Sequence, residues 1–267
     1  MIIDGKEIAE RVYKRTYDEI QRLGRAPILT IITCDPNFET QKYLALKEKK
    51  AVAIGMVTHV IELRSTSTTE HFCEAIGKAI ESSDGIIVQL PLPESVEVAT
   101  VFAHIPVTHD VDALNPENTS VLSPVVGAFF EILSLYNIVV EGKHVTIIGN
   151  GRLVGLPANQ WFQSAGAHVS VVTKDTGDIS AYTRSADIIV CGAGSPCLLT
   201  PDMIKDEVIV LDAGTSEEGG ELHGDADPLC AEKASLFTPV PGGVGPITIA
   251  ILLSNVVDCA LRKKGVA

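Results

Sequence analysis

Tyr43 and Lys47 stand four residues apart in the charged segment ETQKYLALKEKKAVAIG. On a helix that spacing puts both side chains on one face, so a phenol and an amine can border the same pocket. An ordinary solvated helix shows such pairs too, so the chemistry has to be argued from the surrounding residues. A second pattern is HVTIIGNGRLVGLPANQWF, where Gly149, Gly151 and Gly155 follow an apolar strand at the point where a helix begins. Small residues there let the backbone approach a pyrophosphate, and the helix start offers oriented N–H donors. The spacing is GxGxxxG, one residue longer than the usual dinucleotide fingerprint, which leaves a plain structural turn as the competing reading. After the next strand, Thr173, Lys174 and Asp175 fall where an adenosine ribose sits in a doubly wound fold. Lys174 suits the 2′-phosphate of NADP, whereas Asp175 suits the 2′-hydroxyl of NAD. Arg152 is either a phosphate contact or a solvent-facing residue at a helix start. The balance favours NADP, with NAD as the alternative.

The elements that position these groups follow from hydrophobic periodicity. A helix over Glu7 to Leu23 is broken by Gly24 and Pro27, and PILTII reads as a buried strand. The Tyr43 and Lys47 helix comes next, with Leu44, Ala51 and Val52 available to anchor its inner side and Gly55 to end it. A strand near Val57 to Leu63, a helix near Thr69 to Ser82, the strand GIIVQ and a helix within Glu94 to Ala103 complete the first half. The polar, proline-bearing segment THDVDALNPENTSVLSP reads as a linker or an interdomain turn region. A helix near Val126 to Leu135 opens the second half. Its strands are HVTIIG, HVSVV, DIIVC and VIVLDAG, and a final helix near Ile247 to Leu261 follows PGGVGP. Repeated strand–helix order implies parallel sheets covered on both faces. The expected architecture is therefore α/β, two αβα domains of which the second is a Rossmann-like dinucleotide-binding domain.

Composition narrows the function classes. With 267 residues and 46% hydrophobic content the chain can bury two cores. A net charge of −13 argues against nucleic acid or an anionic membrane surface as partner. The six cysteines form no CxxC and no tight cluster with histidine, so free thiols in a reducing compartment are expected and a metal site is not. The start MIIDGKEIAERV lacks a basic region followed by a long apolar run, and ITIAILLSNVVDCAL is interrupted by Asn255 and Asp258. A buried helix and a cytoplasmic protein are the expectation.

Taken together, DGKEIA, YLALKEKKAVAIG, GIIVQLPLP, DVDALNPEN, GKHVTIIGNGRLVGLP, ADIIVCGAGSP, GDAD and TPVPGGVGP cover nearly the whole chain. In this combination the chain resembles the bifunctional methylenetetrahydrofolate dehydrogenase and methenyltetrahydrofolate cyclohydrolase family. The resemblance implies oxidation of 5,10-methylenetetrahydrofolate and hydrolysis of the methenyl product to 10-formyltetrahydrofolate. It places the catalytic tyrosine and lysine at Tyr43 and Lys47, the pocket glutamine at Gln89, the folate-binding acid at Asp112 and a small hydroxyl residue at Thr40. It further implies a folate lying between the two domains, with Pro241, Gly242 and Gly243 lining its site, and a homodimer. Thr40 is otherwise a helix N-cap, and Lys42, Lys49 and Lys50 are candidates for a folate glutamate tail. The implied division is a folate-binding catalytic domain at 1–113, completed by a C-terminal helix at 245–267, and a dinucleotide-binding domain at 114–244.

Three departures stand out. The family's GRS is GNG here, with Asn150 and Gly151 in place of Arg and Ser; PCTPxG is LSPVVG; and the Gly after DVD is Ala113. GNG and Asp175 motivate one alternative, a monofunctional NAD-dependent dehydrogenase. A noncatalytic folate or nucleotide sensor is the other.

Overall fold

The computed structural model describes residues 1–265, the side chains of Phe38, Glu39 and Glu218 excepted. The last two residues of the helix expected at 245–267 lie outside the described residues. The chain divides into two compact units: Glu10–Pro124 with 249–265, here the first unit, and Met1–Ala9 with Val125–Thr248, the second. By contact, residues 1–9 group with the second unit. The cause is backbone pairing: Ile3 donates to the Phe237 carbonyl at 2.9 Å, Phe237 to that of Met1 at 2.9 Å, and Gly5 to that of Gly242 at 2.9 Å.

In chain order the first half runs α1 (Gly5–Leu23), β1 (Ile28–Cys34), α2 (Phe38–Ala53), β2 (Val57–Leu63), α3 (Thr69–Ile80), β3 (Gly85–Val88) and α4 (Val98–His104). Asp4 starts α1 by accepting the Lys6 and Glu7 amides on one carboxylate oxygen, and Gly24 ends it with a φ of 75°. The three strands pair in parallel in the order β2-β1-β3. Ile86 of this sheet is fully buried against Phe72, Ile76, Val101 and Phe102 of α3 and α4, each such large side chain contributing about 1.5–3 kcal/mol. Coverage of both faces, expected throughout, fails at β2. Val57 and Val60 of this edge strand are exposed.

The second half runs α5 (Pro124–Leu135), β4 (His144–Ile148), α6 (Gly155–Ser164), β5 (His168–Val172), α7 (Ser180–Thr183), β6 (Ile188–Cys191), β7 (Ile209–Asp212), β8 (Ser216–Glu218), β9 (Glu221–His223), β10 (Leu236–Phe237) and α8 (Val244–Lys264). Its sheet is parallel in the order β10-β7-β6-β4-β5. The chain leaves β4 for β5 on one side and returns to β6 on the other, which creates a topological switch point between β4 and β6. Periodicity does not anticipate three strands. β8 and β9 form a short polar hairpin around Gly219-Gly220, and β10 has only two residues. Helix α8 is long and apolar enough to cross a membrane, yet 72% of its apolar window is buried inside the protein, as expected of a core helix.

The segment read as a linker is built into the first unit instead. Asp110 is fully buried and accepts the Leu114 and Asn115 amides and the Asn118 side-chain amide, at 2.8 to 3.1 Å. Asn255 of α8 donates to the Val111 and Leu122 carbonyls at 2.8 and 3.0 Å. These bonds tie residues 110–122 to the first unit, whose first stretch runs to Pro124.

Candidate active site

Helix α2 carries the first set of chemical groups. Asn37 caps it, its side-chain oxygen accepting the Thr40 amide at 2.8 Å. Thr40 is therefore the third residue of the helix rather than its cap. Leu44, Ala51 and Ile54 form the buried stripe, while Val52, expected among the anchors, is 65% exposed. Lys47 falls on that same stripe, three residues after Leu44 and four before Ala51. An amine at a core-facing position is desolvated by the fold itself. Tyr43, one residue off the stripe, is 44% exposed. Of the basic residues considered for a glutamate tail, Lys50 is occupied: it pairs with Glu10 at 2.8 Å and lies over the Tyr13 ring.

Gln89 follows β3 directly, and its own amide donates to the Ile32 carbonyl at 2.8 Å. Its side-chain NH2 donates to the Leu90 carbonyl at 3.0 Å, which turns Oε1 toward α2. Lys47 Nζ donates to that oxygen at 2.8 Å. Burial pushes the Lys47 amine below its usual range, and the charge of Asp112 opposes the shift. Asp112 is in turn pushed up by burial and by Asp110, and pulled down by Lys47. The fold thus gathers Lys47, Gln89 and Asp112 into one electrostatic group. Residues 109–110 run beside β3, the Ile86 amide donating to the His109 carbonyl at 2.8 Å. That pairing and the hydrogen bonds to Asp110 fix the Asp112 loop. Asp110 is a residue whose part sequence reasoning missed; the only signal was its place as the first acid of DVD.

Ala113 occupies the left-handed region with φ 53°, where a Cβ costs roughly 1–2 kcal/mol. Ala113→Gly is expected to raise unfolding free energy by about 1 kcal/mol, net of the greater chain entropy of glycine. Equilibrium urea denaturation checks this, and an unchanged or lower midpoint contradicts it.

The second set lies on the second unit, at the C-terminal edge of its sheet. Gly149 turns out of β4 with φ 97°, and a Cβ there would stand 2.6 Å from the Gly192 carbonyl oxygen. A Cβ on Gly155, the first residue of α6, would overlap the Gly149 carbonyl. Side chains are therefore excluded at Gly149 and Gly155, the two ends of this turn. Asn150, Gly151 and Arg152 form its exposed crest, and no side-chain cap closes the N-terminus of α6. Backbone close to the surface beside a helix start suits a pyrophosphate. Gly149 donates to the Val172 carbonyl at 2.8 Å, so the 173–175 turn stands beside the glycine turn. Thr176 Oγ1 accepts the Thr173 amide at 2.8 Å and Thr173 Oγ1 the Asp175 amide at 3.3 Å, leaving the Lys174 and Asp175 side chains exposed. Pro241, Gly242 and Gly243 also belong to this unit, following β10, with the Gly243 amide on the Pro239 carbonyl at 2.8 Å.

Residues 3–112 match the model of the tetrahydrofolate dehydrogenase/cyclohydrolase catalytic domain, and residues 123–264 match that of the NAD(P)-binding domain of the same enzymes. The chain belongs to the tetrahydrofolate dehydrogenase/cyclohydrolase family. The bifunctional protein FolD of Exiguobacterium sibiricum is 35% identical over 97% of this chain and 99% of its own. Among solved structures, the bifunctional FolD methylenetetrahydrofolate dehydrogenase/cyclohydrolase of Campylobacter jejuni aligns with a TM-score of 0.95 at 35% identity, covering 98% of this chain and 99% of that one. The methylenetetrahydrofolate dehydrogenase-cyclohydrolase of Trypanosoma brucei, complexed with NADP cofactor and inhibitor, gives 0.93 at 31% identity over 99% and 98%. Family membership bears out the two-domain α/β architecture and the NAD(P)-binding character of the region that holds the GNG turn. The catalytic-domain match contains Thr40, Tyr43, Lys47, Gln89 and Asp112, within residues 3–112.

Proposed function

We propose that this chain oxidises 5,10-methylenetetrahydrofolate with NADP and hydrolyses the 5,10-methenyl product to 10-formyltetrahydrofolate. The observation that carries the hydrolytic half is the 2.8 Å contact between Gln89 and a Lys47 amine whose charged form is disfavoured by burial. A general base near neutrality needs that depression, since an exposed lysine is protonated there. Water adds through oxygen to the cationic methenyl carbon, and Lys47 takes the proton released, leaving a neutral carbinolamine. Collapse to the formyl group moves the hydroxyl proton to N5 as the carbon–N5 bond breaks. Gln89 orients Lys47 without adding charge. Tyr43 borders the reacting carbon, Asp112 accepts from the pterin N–H groups, and Thr40 adds a further folate contact on the same unit.

For the oxidative half the bound nucleotide supplies a hydride acceptor. Gly149, Asn150, Gly151, Arg152 and Gly155 hold its pyrophosphate, and the 173–175 turn meets its ribose. The methylene carbon loses hydride to become a resonance-stabilised cation, so the protein's task is alignment. Lys174 is the group that selects NADP. Lys174→Ala is expected to raise KM for NADP about tenfold, the size of one lost charge-assisted contact, and to leave KM for NAD within twofold. Equal changes for both nucleotides would remove Lys174 from this role. A monofunctional NAD enzyme is the second reading, favoured by GNG and Asp175. Retention of the Lys47 and Gln89 pair argues against it.

A spectrophotometric assay with 5,10-methylenetetrahydrofolate and each nucleotide, followed through methenyl formation and decay, tests the whole assignment. Methenyl formation without enzymatic decay would leave only the dehydrogenase, and neither step would leave a binding protein. The protein is further proposed to act in the cytoplasm as a homodimer, which light scattering tests by mass.

A further inference from the structure

Two carboxylates lie buried side by side at the C-terminal edge of the second sheet, and no step above uses them. Asp225 and Asp212 are 0% and 1% exposed. Asp225 Oδ2 accepts the backbone N–H groups of Ala193 at 2.6 Å and Gly194 at 3.2 Å, and its Oδ1 accepts that of Ser195 at 2.8 Å. Three consecutive amides thus turn inward onto one acid, in a loop whose residues are exposed. Asp212 ends β7 and accepts the Gly214 and Ala226 amides at 2.9 and 2.8 Å, while its own amide donates to Thr238 Oγ1 at 2.6 Å. Packing is tight enough that a Cβ on Gly214 would overlap the Asp225 carboxyl, and one on Gly224 the Asp212 carboxyl. Burial pushes Asp212 up to about 7, the Ala226 and Gly214 amides opposing the rise and Asp225 adding to it.

The place of the loop gives this arrangement its meaning. Residues 192–195 follow β6, and the glycine turn follows β4; these are the two strands that flank the switch point, where open α/β sheets bind ligands. Gly192 donates to the Ile148 carbonyl at 2.9 Å, which sets the two loops against each other at the same level. For packing alone, an apolar side chain costs less than a desolvated acid. An acid that collects three amides from a loop on the binding edge fixes that backbone before any ligand arrives.

We propose that Asp225 is a positioning residue for the nicotinamide nucleotide, holding residues 193–195 as a preformed wall of the crevice opposite the glycine turn. The proposal rests on the reading of that turn as the nucleotide site. Asn at 225 keeps the shape but turns one acceptor into a donor, so one loop amide loses its partner. Asp225→Asn is expected to raise the KM and Kd for NADP about tenfold. Cyclohydrolysis of added methenyltetrahydrofolate, which draws on Lys47 and Gln89, should stay within twofold. A nucleotide KM within twofold of wild type, or a parallel fall in both activities with a lower melting temperature, would overturn the proposal. A measurement on the unaltered protein covers a variant that fails to fold: amide hydrogen exchange at 193–195 should be slow without nucleotide. Exchange there at the rate of an unprotected loop also overturns it. Wild-type protein that binds neither NADP nor NAD would overturn the reading of the turn, and this inference with it; wild-type binding with an unaltered variant overturns the inference alone.

Discussion

Replacing Lys47 with Met is expected to lower cyclohydrolase turnover by about 10²–10⁴-fold, the range that a positioned general base contributes, and to leave the fold intact. The side chain sits on the core-facing stripe of α2 between Leu44 and Ala51. Methionine fills that position with a stem of similar length and no charge, so packing is kept while the amine is removed. Gln89 loses its partner but retains its own bond to the Leu90 carbonyl, which limits the damage to one uncompensated acceptor. Dehydrogenase turnover should fall far less, because hydride loss to form the methenyl cation requires no proton removal. Separate assays of NADP reduction and methenyl consumption distinguish the two. Near-normal methenyl consumption in the variant would take Lys47 out of the mechanism, and equal loss of both activities would recast it as a structural residue.

Asp112→Ala is expected to weaken folate binding by about 10- to 100-fold. That is the 1.5–3 kcal/mol associated with hydrogen bonds to a charged group, at 1.4 kcal/mol per factor of ten. Nucleotide affinity should be unchanged, since the GNG turn lies on the other unit. Direct titration with a folate ligand measures the effect, and unchanged affinity defeats the assignment. The more conservative Asp112→Asn carries a pH signature. In the wild type the Asp112 charge favours protonated Lys47 and partly offsets the depression caused by burial. Removing that charge leaves burial unopposed, so the Lys47 pKa falls further and its base form is present at lower pH. The rising limb of the cyclohydrolase pH–rate profile should therefore move to lower pH in Asp112→Asn. A limb that stays in place or moves upward would show that the two groups do not communicate in the working enzyme.

Much of the scaffold is legible from hydrophobic pattern. The β2 strand from Val57 to Leu63 has the bounds the sequence suggests, and the apolar runs that became β1, β3, β4, β5, β6 and β7 are each flanked by turn residues. The two-residue β10 is not legible, because two residues carry no period. The GNG turn is legible as a backbone feature: glycine at the end of an apolar strand has few other uses. Its nucleotide preference is not, since Lys174 and Asp175 both emerge exposed from the same turn.

The candidate site divides along the same line. Spacing alone puts Tyr43 and Lys47 on one face of a helix, and family motifs add Gln89 and Asp112, distant in sequence. Only the folded chain separates the roles of the first two. Lys47 falls on the buried stripe with Leu44, Ala51 and Ile54, and Tyr43 falls beside it. Period-3.6 geometry sets that difference, but which side faces the sheet is decided by what packs there. Asp110 looked like part of a polar linker, and Asp225 like one acid in a short motif. Their burial, and the amides that converge on them, come from residues brought together by the fold. The sequence by itself determined the family, the α/β architecture and the set of reactive side chains, because these follow from residue types and local period. The tertiary structure decided which of those side chains lose water, which determines where a lysine can act as a base and where an acid can hold a loop.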